Sequence, residues 1–500
     1  MTLDNNINPF EFKSGSSRLS RPAILIQLIF AAVMIGLLIS KLGLMGIILS
    51  IGTIVMLVFS YLLFKNPRIG ILVLLVLSFF LVGIGRYIPG SWGLIADGLL
   101  VFMYIALFFK GFGVKVEWGN ARSLLTLMAS IWMGYVFLQI ANPEAVSSEA
   151  WFYVMRGYGL YQWLLIPLVF ILFNRPKDLQ TFLLIWGVLS LIGTLKGIQQ
   201  YFFGVDSFEQ YWLDHGGAET HLLFGKLRIF SFYSDAGQFG ASQGHTAVVF
   251  GILTLFVKNN LRLRVFFIVV TLAGLYGMII SGTRGAIAVP GMGGIMFLIL
   301  RKNLPILILG LIMGIGIYIF FAHTTIGQGN ADIRRMRTAF DPNEASLQVR
   351  VDNRKKFAGY LASRPFGGGL GSAGNWGQRF APDTFLANTA TDSWYVAIWA
   401  ETGIIGLILH LIILFTILGT GVYNVMVKLK DVWLKGQITA LTCGMAGIMA
   451  ASYGNSVFGQ FPTGILMYIS MVFIFMSPKW DKQIQLHNSE NKEHNIKETS

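Results

Sequence analysis

The chain has 500 residues, of which 54% are hydrophobic and 12% are charged, and its mean hydropathy is +0.64. This composition excludes an ordinary soluble domain. The formal net charge of +14 is better explained by Lys and Arg in cytoplasmic loops and near an anionic substrate than by a nucleic-acid partner. The single cysteine, Cys443, lies in an apolar stretch, which excludes a disulfide framework and a thiolate metal site.

Many apolar stretches reach the roughly 17–25 residues that a helix needs to cross a hydrocarbon core. They lack the strict alternation of barrel strands. We therefore predict an all-α polytopic membrane protein with about 14 transmembrane helices (roughly 12–14) and one large, partly helical periplasmic loop. In chain order, the predicted spans cover residues 22–40, 42–64, 69–85, 93–109, 123–141, 153–173, 178–200, 234–257, 263–281, 284–300, 303–322, 393–420, 436–456 and 461–477.

The distribution of Lys and Arg sets the predicted orientation, because every second connection between spans is rich in them. Both chain ends are then cytoplasmic, and the number of spans is even. The predicted divisions are a cytoplasmic tail over 1–21, a transmembrane bundle over 22–322 with an outer loop over 201–233, a large periplasmic loop over 323–392, C-terminal transmembrane helices over 393–477 and a disordered cytoplasmic tail over 478–500.

The large predicted loop is the longest polar interruption of the chain. Its segments ADIRRMRTAF and QVRVDNRKKFAGYLAS are expected to be helical, and apolar residues form a stripe that faces either lipid or protein: Val351, Phe357, Tyr360 and Leu361. The glycine run from Gly367 to Gly371 offers backbone N–H groups to a phosphate. It lacks the Lys-Ser/Thr ending of a nucleotide-binding loop, which favours a flexible turn.

Arginines near the predicted outer ends of spans are the first candidates for function. Arg284 lies in SGTRGAIAVPG, Arg228 precedes SDAGQFG, and Arg156 lies about one turn inside the sixth predicted span. A guanidinium is always charged and presents a fork of donors that suits phosphate oxygens. The alternative is that each arginine is a snorkelling anchor at the membrane interface.

The eighth predicted span has a polar outer half, with Ser231, Ser234, Asp235, Gln238, Ser242, Gln243 and His245. Such residues face a cavity, where Gln238 would bind substrate, or they hydrogen-bond to neighbouring helices across Gly237, Gly240 and Gly244. Both interpretations stay open. His215, His221 and His245 lack a metal-ligand spacing, so no metal and no cofactor is expected.

Two carboxylates lie at the start of the twelfth predicted span. Asp392 either caps the helix or acts as a general base at the membrane surface. Glu401 follows nine residues later, about 13.5 Å along a helix and half a turn out of phase. The two acids therefore cannot flank one bond as the paired acids of a glycosidase do. Glu401 is expected to be a buried partner of a cation or of the backbone, and as an intramembrane acid it is also a candidate for substrate binding.

Taken in order, these features resemble the O-antigen ligase and O-antigen polymerase superfamily of bacterial inner membranes. The resemblance rests on Arg228 before SDAGQFG, on Arg284 in SGTRGA, on a large loop with Arg350 followed by RPFGGGLG, and on a polar residue that opens the next span and is followed by Tyr395 and ETGIIG. It covers residues 220–420, whereas the first half of the chain matches only in hydropathy.

The resemblance implies a metal-independent glycosyltransferase of O-antigen, capsule or exopolysaccharide biosynthesis, which takes its glycan from a polyprenyl diphosphate in the membrane. The expected catalytic residues are Arg228 and Arg284, which hold the diphosphate, and Asp392, which occupies the place of a histidine proposed to activate the acceptor hydroxyl. The remaining expected substrate-binding residues are Arg350, Arg156, Gln238, Tyr395 and Glu401. Aspartate at that position fits polymerase-like members better than lipid A–core ligases.

The implied partners are the lipid-linked donor, a glycan or glycolipid acceptor, membrane lipid, and a chain-length regulator or other polysaccharide-assembly proteins, with no nucleic acid. Two alternatives stay open. One is a transporter or flippase of a lipid-linked oligosaccharide, although no internal repeat supports it. The other is a structural subunit of a polysaccharide export complex, which would tolerate Asp392→Asn.

Overall fold

The computed structural model describes residues 21–223, 225–329, 331–338, 341 and 345–499, so that all but the last residue of the predicted tail over 1–21 lies outside the described part. Its α-helices are α1 Arg21–Leu42, α2 Leu44–Lys65, α3 Arg68–Tyr87, α4 Gly93–Lys110, α5 Leu124–Leu138, α6 Ser148–Met155, α7 Tyr161–Leu172, α8 Pro176–Phe203, α9 Ser207–Trp212, α10 Ala218–His221, α11 Ala236–Phe256, α12 Leu261–Ile280, α13 Ala288–Arg301, α14 Leu304–His323, α15 Ala331–Arg337, α16 Ala345–Leu361, α17 Gly374–Phe380, α18 Trp394–Tyr423, α19 Val432–Ala451 and α20 Thr463–Thr499.

Shorter elements complete the described chain. Turns of π-helix cover Arg156–Leu160, Leu213–Gly217 and Asn424–Lys428, and turns of 3₁₀-helix cover Trp118–Ala121, Gln139–Ala141 and Arg284–Ile287. The strands β1 Leu222–Leu223 and β2 Lys226–Leu227 pair as an antiparallel hairpin, with Leu222 opposite Leu227.

The helices confirm the prediction of an all-α polytopic membrane protein. Within the described residues, 11 helices are long and apolar enough to cross a membrane. The three other predicted spans lie on α1, α14 and α19. Two long connections interrupt the spans: the first long loop, residues 204–235, and the second long loop, residues 324–393, which contains α15, α16 and α17.

The described chain forms two compact units, and the first contains residues 21–73 and 99–117. Within it, the ring of Phe64 meets that of Phe102 edge-on at 5.5 Å between centroids. The Lys110 ammonium group donates to the backbone carbonyl of Lys65 at 3.2 Å. Aromatic packing and one cross-helix hydrogen bond thus hold this unit together.

The second unit contains residues 74–98 and 118–499, and α11 lies at its centre. Every residue of α11 from Ala236 to Phe250 is buried. One of its polar side chains binds a neighbouring helix: Gln243 Oε1 accepts hydrogen bonds from Ser190 at 3.0 Å and Thr194 at 3.1 Å. This contact favours the helix-packing interpretation at Gln243, since buried amides need such partners, and the choice between packing and cavity lining stays open for the rest of the polar span.

The second long loop has an apolar core of its own, formed by Phe357, Leu361, Ala373, Leu386 and Ala400 of α18, with Tyr360 packed against it. The stripe predicted in this loop therefore faces protein at Phe357, Tyr360 and Leu361. Burial of this cluster attaches α16 to α18 and holds the loop in place.

The glycine run is a packed turn, so the prediction of a flexible turn is wrong. Gly367, Gly369 and Gly371 have φ of 77°, 84° and 81°, a backbone region that glycine adopts without steric cost. The N–H of Gly368 donates to the carbonyl of Ala400 at 2.9 Å. A Cβ added at Gly367 would lie 2.4 Å from the backbone nitrogen of Gly403, so only glycine allows this approach.

Helix α20 continues to Thr499, so the prediction of disorder from residue 478 onward is wrong over the described residues. The helix is anchored just after Pro478. The Trp480 indole donates to the Asn174 carbonyl at 2.8 Å, and the Asp481 carboxylate accepts the N–H groups of Lys430 at 3.0 Å and Asp431 at 2.8 Å. Beyond these contacts, the abundant Lys, Glu and Gln are good helix formers.

Candidate functional site

Arg228 lies just after β2, and the structure ties it to two helices. Its backbone N–H donates to the His221 carbonyl at 2.8 Å. Its guanidinium donates to the hydroxyl of Thr283 at 3.1 Å, and this hydroxyl donates to the carbonyl of Ala236, at the start of α11, at 2.9 Å. Thr283 directly precedes Arg284, so the two predicted arginines are held by one junction.

Arg284 and Arg335 complete an arginine cluster with Arg228. The Arg284 guanidinium donates to the Thr338 hydroxyl at 3.0 Å, and that hydroxyl donates to the Arg335 carbonyl at 2.8 Å. Burial lowers the pKa of Arg228, the positive charges of Arg335 and Arg284 lower it further, and Asp235 opposes them. Like charges gathered in a partly buried place are unfavourable unless an anion joins them.

One donor of this cluster has no partner among the described residues. The Nε of Arg228 is buried and makes no hydrogen bond to any residue that the structure describes. By contrast, the neighbouring Arg334 binds its own loop and donates to the Gln328 carbonyl at 3.1 Å. The arginine cluster can therefore offer donors to a phosphate.

Asp392 forms an ion pair with Arg350, with 3.6 Å between its Oδ2 and the arginine Nε. The capping interpretation of Asp392 is wrong, because the N-cap of α18 is Ser393, whose hydroxyl donates to the Ser452 carbonyl at 3.2 Å. Asp392 has φ of 46°, a conformation that Asp and Asn tolerate better than most residues. Its side chain is 43% exposed and is thus open to a ligand.

Helix α16 positions the partner of Asp392. Arg350, Asn353 and Arg354 fall on one helical face, and the Asn353 amide donates to the Ala390 carbonyl at 3.3 Å. The Arg354 guanidinium lies 4.8 Å from the centre of the Tyr453 ring. The three side chains and Asp392 line one small pocket.

Arg156 is paired within its own part of the fold. Its Nε lies 2.7 Å from Asp97 Oδ2, and its Nη2 donates to the Tyr161 hydroxyl at 3.1 Å. It lines a cavity of about 390 Å³ together with Arg379. No contact between described residues joins Arg156 to the arginine cluster directly.

The side chains of Gln238 and Tyr395 hydrogen-bond to neighbouring elements. The Gln238 amide donates to the Thr463 hydroxyl at 2.8 Å and to the Phe461 carbonyl at 3.3 Å. The Tyr395 hydroxyl donates to the Met449 carbonyl at 2.8 Å. These contacts favour structural roles for both, and their expected contact with substrate stays a prediction.

Glu401 lies two residues before the break in α18, where Gly403 has φ of 70°. Its Oε1 accepts the Ala373 N–H at 3.2 Å. Its Oε2 makes no hydrogen bond within the described chain. The side chain lines a cavity of about 310 Å³ with four aromatic residues, namely Tyr153, Tyr158, Trp376 and Trp394.

A short path of contacts links this cavity to the arginine cluster. Gln460 lines the cavity and accepts a hydrogen bond from the Ser234 hydroxyl. That hydroxyl lies 2.9 Å from Asp235 Oδ2, and Asp235 is the acid that interacts with Arg228. The cavity beside Glu401 and the arginine cluster are therefore neighbouring parts of the second unit.

The histidines take part in packing. His221 stands between the rings of Trp212 and Phe230, at 4.9 Å and 5.0 Å between centroids. Burial lowers the pKa of His221. The ring of His245 lies 4.7 Å from that of Trp186. Across the described residues, no three His, Cys, Asp or Glu side chains are grouped to hold a metal ion.

Sequence reasoning overlooked two parts of this site. Arg335 stands in a basic run whose members look alike in sequence, and only the contact with the Arg284 junction distinguishes it. The aromatic residues beside Glu401 come from segments more than 200 positions apart, between Tyr153 and Trp394. No local pattern signals their convergence.

Two comparisons with known proteins concern the same part of the chain. Residues 267–411 match the model of the family described as O-antigen ligase, a stretch that includes Arg284, the second long loop, Asp392 and Glu401. The chain is also 25% identical over 348 residues to an O-antigen polymerase of Salmonella muenchen, which covers 65% of this chain and 81% of the relative. Together with the membrane-spanning helices, these two matches support the resemblance to the O-antigen ligase and O-antigen polymerase superfamily.

Proposed function

We propose that the protein is a glycosyltransferase that transfers or polymerises a polyprenyl-diphosphate-linked glycan onto a sugar acceptor at the periplasmic face of the bacterial inner membrane. Its product would be O-antigen, capsule or exopolysaccharide. The observation that carries the proposal is the arginine cluster. The positive charges of Arg335 and Arg284 act on Arg228, and the buried Nε of Arg228 has no hydrogen-bond partner among the described residues. A diphosphate satisfies both the charge and the donors.

In the proposed reaction, an acceptor hydroxyl attacks the anomeric carbon of the donor sugar. The new glycosidic C–O bond forms while the bond to the diphosphate breaks, and the electron pair leaves with the lipid diphosphate. This leaving group is a stable anion, so positioning and charge stabilisation matter more than a general acid. The arginine cluster supplies that charge without a metal or cofactor. A single displacement inverts the anomeric configuration.

Asp392 takes the hydroxyl proton in this scheme. Its ion pair with Arg350 orients the carboxylate, and its exposure leaves the second oxygen accessible. The proton then passes to solvent. The proposal places both long loops in the periplasm and both chain ends in the cytoplasm, in agreement with the Lys and Arg distribution.

Substitution of the arginines tests the proposal. Purified Arg228→Ala and Arg284→Ala proteins, given a lipid-linked glycan donor, are expected to lose transfer by about 100-fold or more, because an oxyanion donor contributes about 2.7–4 kcal/mol. Lysine at either position should restore only part of the rate, since it cannot form a forked contact. Arg334→Ala is the matched control, because Arg334 binds only its own loop carbonyl in the described contacts.

Full transfer by both alanine variants would reject the proposal. Movement of a labelled lipid-linked glycan across a vesicle membrane, with no new glycosidic bond, would support a transporter or flippase instead. Surface glycan in cells that carry the variants provides the second measurement, with membrane levels of the protein as its control.

A further inference from the structure

The cavity beside Glu401 has four aromatic residues in its walls. Two of its aromatic residues, Tyr153 and Trp376, stack almost in parallel, with 4.4 Å between ring centroids and 6° between planes. Trp394 stands edge-on to Tyr158 at 5.0 Å. The volume of about 310 Å³ lies at the lower end of the roughly 300–1,000 Å³ of small-molecule sites.

The polar groups of the cavity do not suit an anion or a metal ion. No Lys or Arg is among the described residues that line it, so a diphosphate would find no counter-charge. Glu401 is its single acid, which is too few for a metal ion. The other polar side chains that line the cavity are neutral: Asn375, Thr391, Ser456 and Gln460. A neutral ligand rich in hydroxyl groups fits this set.

Glu401 provides the sharpest constraint. The residue is only 3% exposed. One carboxylate oxygen accepts the Ala373 N–H, whereas the other makes no well-formed hydrogen bond to a described residue, and the Tyr158 hydroxyl and the Gly371 N–H also stabilise the carboxylate. A buried carboxylate oxygen without a donor is costly. Ligand hydroxyl groups would supply the missing donors, because a carboxylate accepts several.

We propose that this cavity binds a sugar ring of the acceptor glycan. The C–H face of the ring packs on the electron-rich aromatic faces, and its hydroxyl groups donate to Glu401. Sugar binding follows from the cavity alone, whereas its assignment to the acceptor rests on the proposed function. Thr391 lines both this cavity and the small pocket that contains Asp392, so a glycan that extends from the cavity past Thr391 reaches the proposed proton acceptor.

The site extends beyond one ring. Tyr153 and Trp376 also line the cavity of about 390 Å³ that contains Trp92, Arg156 and Arg379. The stacked pair thus borders two adjoining cavities. An oligosaccharide that occupies both should bind more tightly than a single sugar.

Binding by the purified full chain tests this proposal independently of transfer. The ligands are oligosaccharides of one and two repeat units, released by mild acid from the host strain's own surface polysaccharide, and titration calorimetry gives the Kd. Glu401→Gln, which keeps an acceptor for Ala373, and Trp376→Leu are each expected to raise the Kd of the two-unit oligosaccharide by about tenfold or more. The matched controls are Glu149→Gln and Trp118→Leu, at exposed positions outside the cavity; both should keep the wild-type Kd.

A second ligand separates this site from the arginine cluster. Undecaprenyl diphosphate without sugar should bind Glu401→Gln as it binds the wild type. Size-exclusion profiles and melting temperatures verify that each variant is folded, and Glu401→Asp, which keeps the charge, gives a second variant with an expected intermediate Kd. A two-unit Kd that is unchanged in Glu401→Gln and Trp376→Leu, or wild-type protein that binds no oligosaccharide, would overturn the sugar site.

The outcomes for the two proposals are distinct. Oligosaccharide binding that depends on Glu401, in a protein without transfer activity, keeps the sugar site and rejects the transferase. Transfer activity, together with an oligosaccharide Kd that is unchanged in Glu401→Gln, supports the transferase and rejects the sugar site.

Discussion

Replacing Gly403 with alanine is expected to loosen the attachment of the second long loop to α18. Gly403 has φ of 70° and ψ of −175°, a region that is essentially restricted to glycine, and a residue with a Cβ costs about 1–3 kcal/mol there. The added Cβ would also lie 2.0 Å from the Pro365 carbonyl oxygen and 2.4 Å from the Gly367 nitrogen. Relief of such overpacking typically costs about 1–3 kcal/mol. The two effects together predict a loss of about 2–6 kcal/mol.

Thermal unfolding of the purified protein in detergent measures this loss, and hydrogen exchange locates it. The Gly368 amide, which donates to the Ala400 carbonyl, should exchange faster in the variant. Gly419→Ala is the control in the same helix, because an added Cβ there has no neighbour within 4 Å and no strained φ. Its expected effect is neutral or slightly stabilising, since alanine favours helix over glycine by up to about 1 kcal/mol.

Coupling between the two sides of the contact gives a further check. Gly367→Ala would place its Cβ 2.4 Å from the Gly403 nitrogen, so it breaks the same attachment. The double variant should therefore lose less stability than the sum of the single variants. Equal melting temperatures for Gly403→Ala and Gly419→Ala, with unchanged exchange at the Gly368 amide, would refute the reasoning.

Three further predictions concern charged groups. Asp392→Asn should change the unfolding free energy by at most about 1 kcal/mol, because the pair with Arg350 is partly exposed and Asn tolerates the φ of 46° as Asp does, yet it should abolish transfer; full activity of this variant would limit Asp392 to pairing. Arg335→Gln removes a positive charge near Arg228. It should raise the melting temperature of the ligand-free protein and reduce the additional stabilisation by undecaprenyl diphosphate. A lower melting temperature of the ligand-free variant together with a larger stabilisation by undecaprenyl diphosphate would count against the cluster. Burial lowers the pKa of His221 from 6.5, so the unfolded chain binds the proton first, and the free energy of unfolding should fall as pH drops below 6.5, by at most about 1.4 kcal/mol per pH unit. Hydrogen exchange of the Arg228 amide, corrected for intrinsic rates, measures this pH dependence. The same pH dependence in His221→Gln would assign it to another group.

The sequence predicted the helices well, because apolar stretches of membrane-spanning length leave few alternatives. The resemblance implied that Arg228 and Arg284 hold one diphosphate, which stays a prediction, and the structure brings the two arginines to one junction at Thr283. It could not assign a structural role to the glycine run, because its geometry depends on contact with Gly403, 36 positions after Gly367. The polar composition after Pro478 suggested disorder. The contacts of Trp480 with Asn174 and of Asp481 with Asp431 instead hold this part of α20.

The second long loop contributes to three places at once: Arg335 to the arginine cluster, Arg350 to the ion pair with Asp392, and Trp376 to the cavity beside Glu401. A ligand that orders any one of these contacts lowers the entropic cost of ordering the other two. Under the proposed function, donor and acceptor affinities are then linked reciprocally, so that binding of one glycan raises the affinity for the other. Transfer by such a protein would depend on the presence of both substrates.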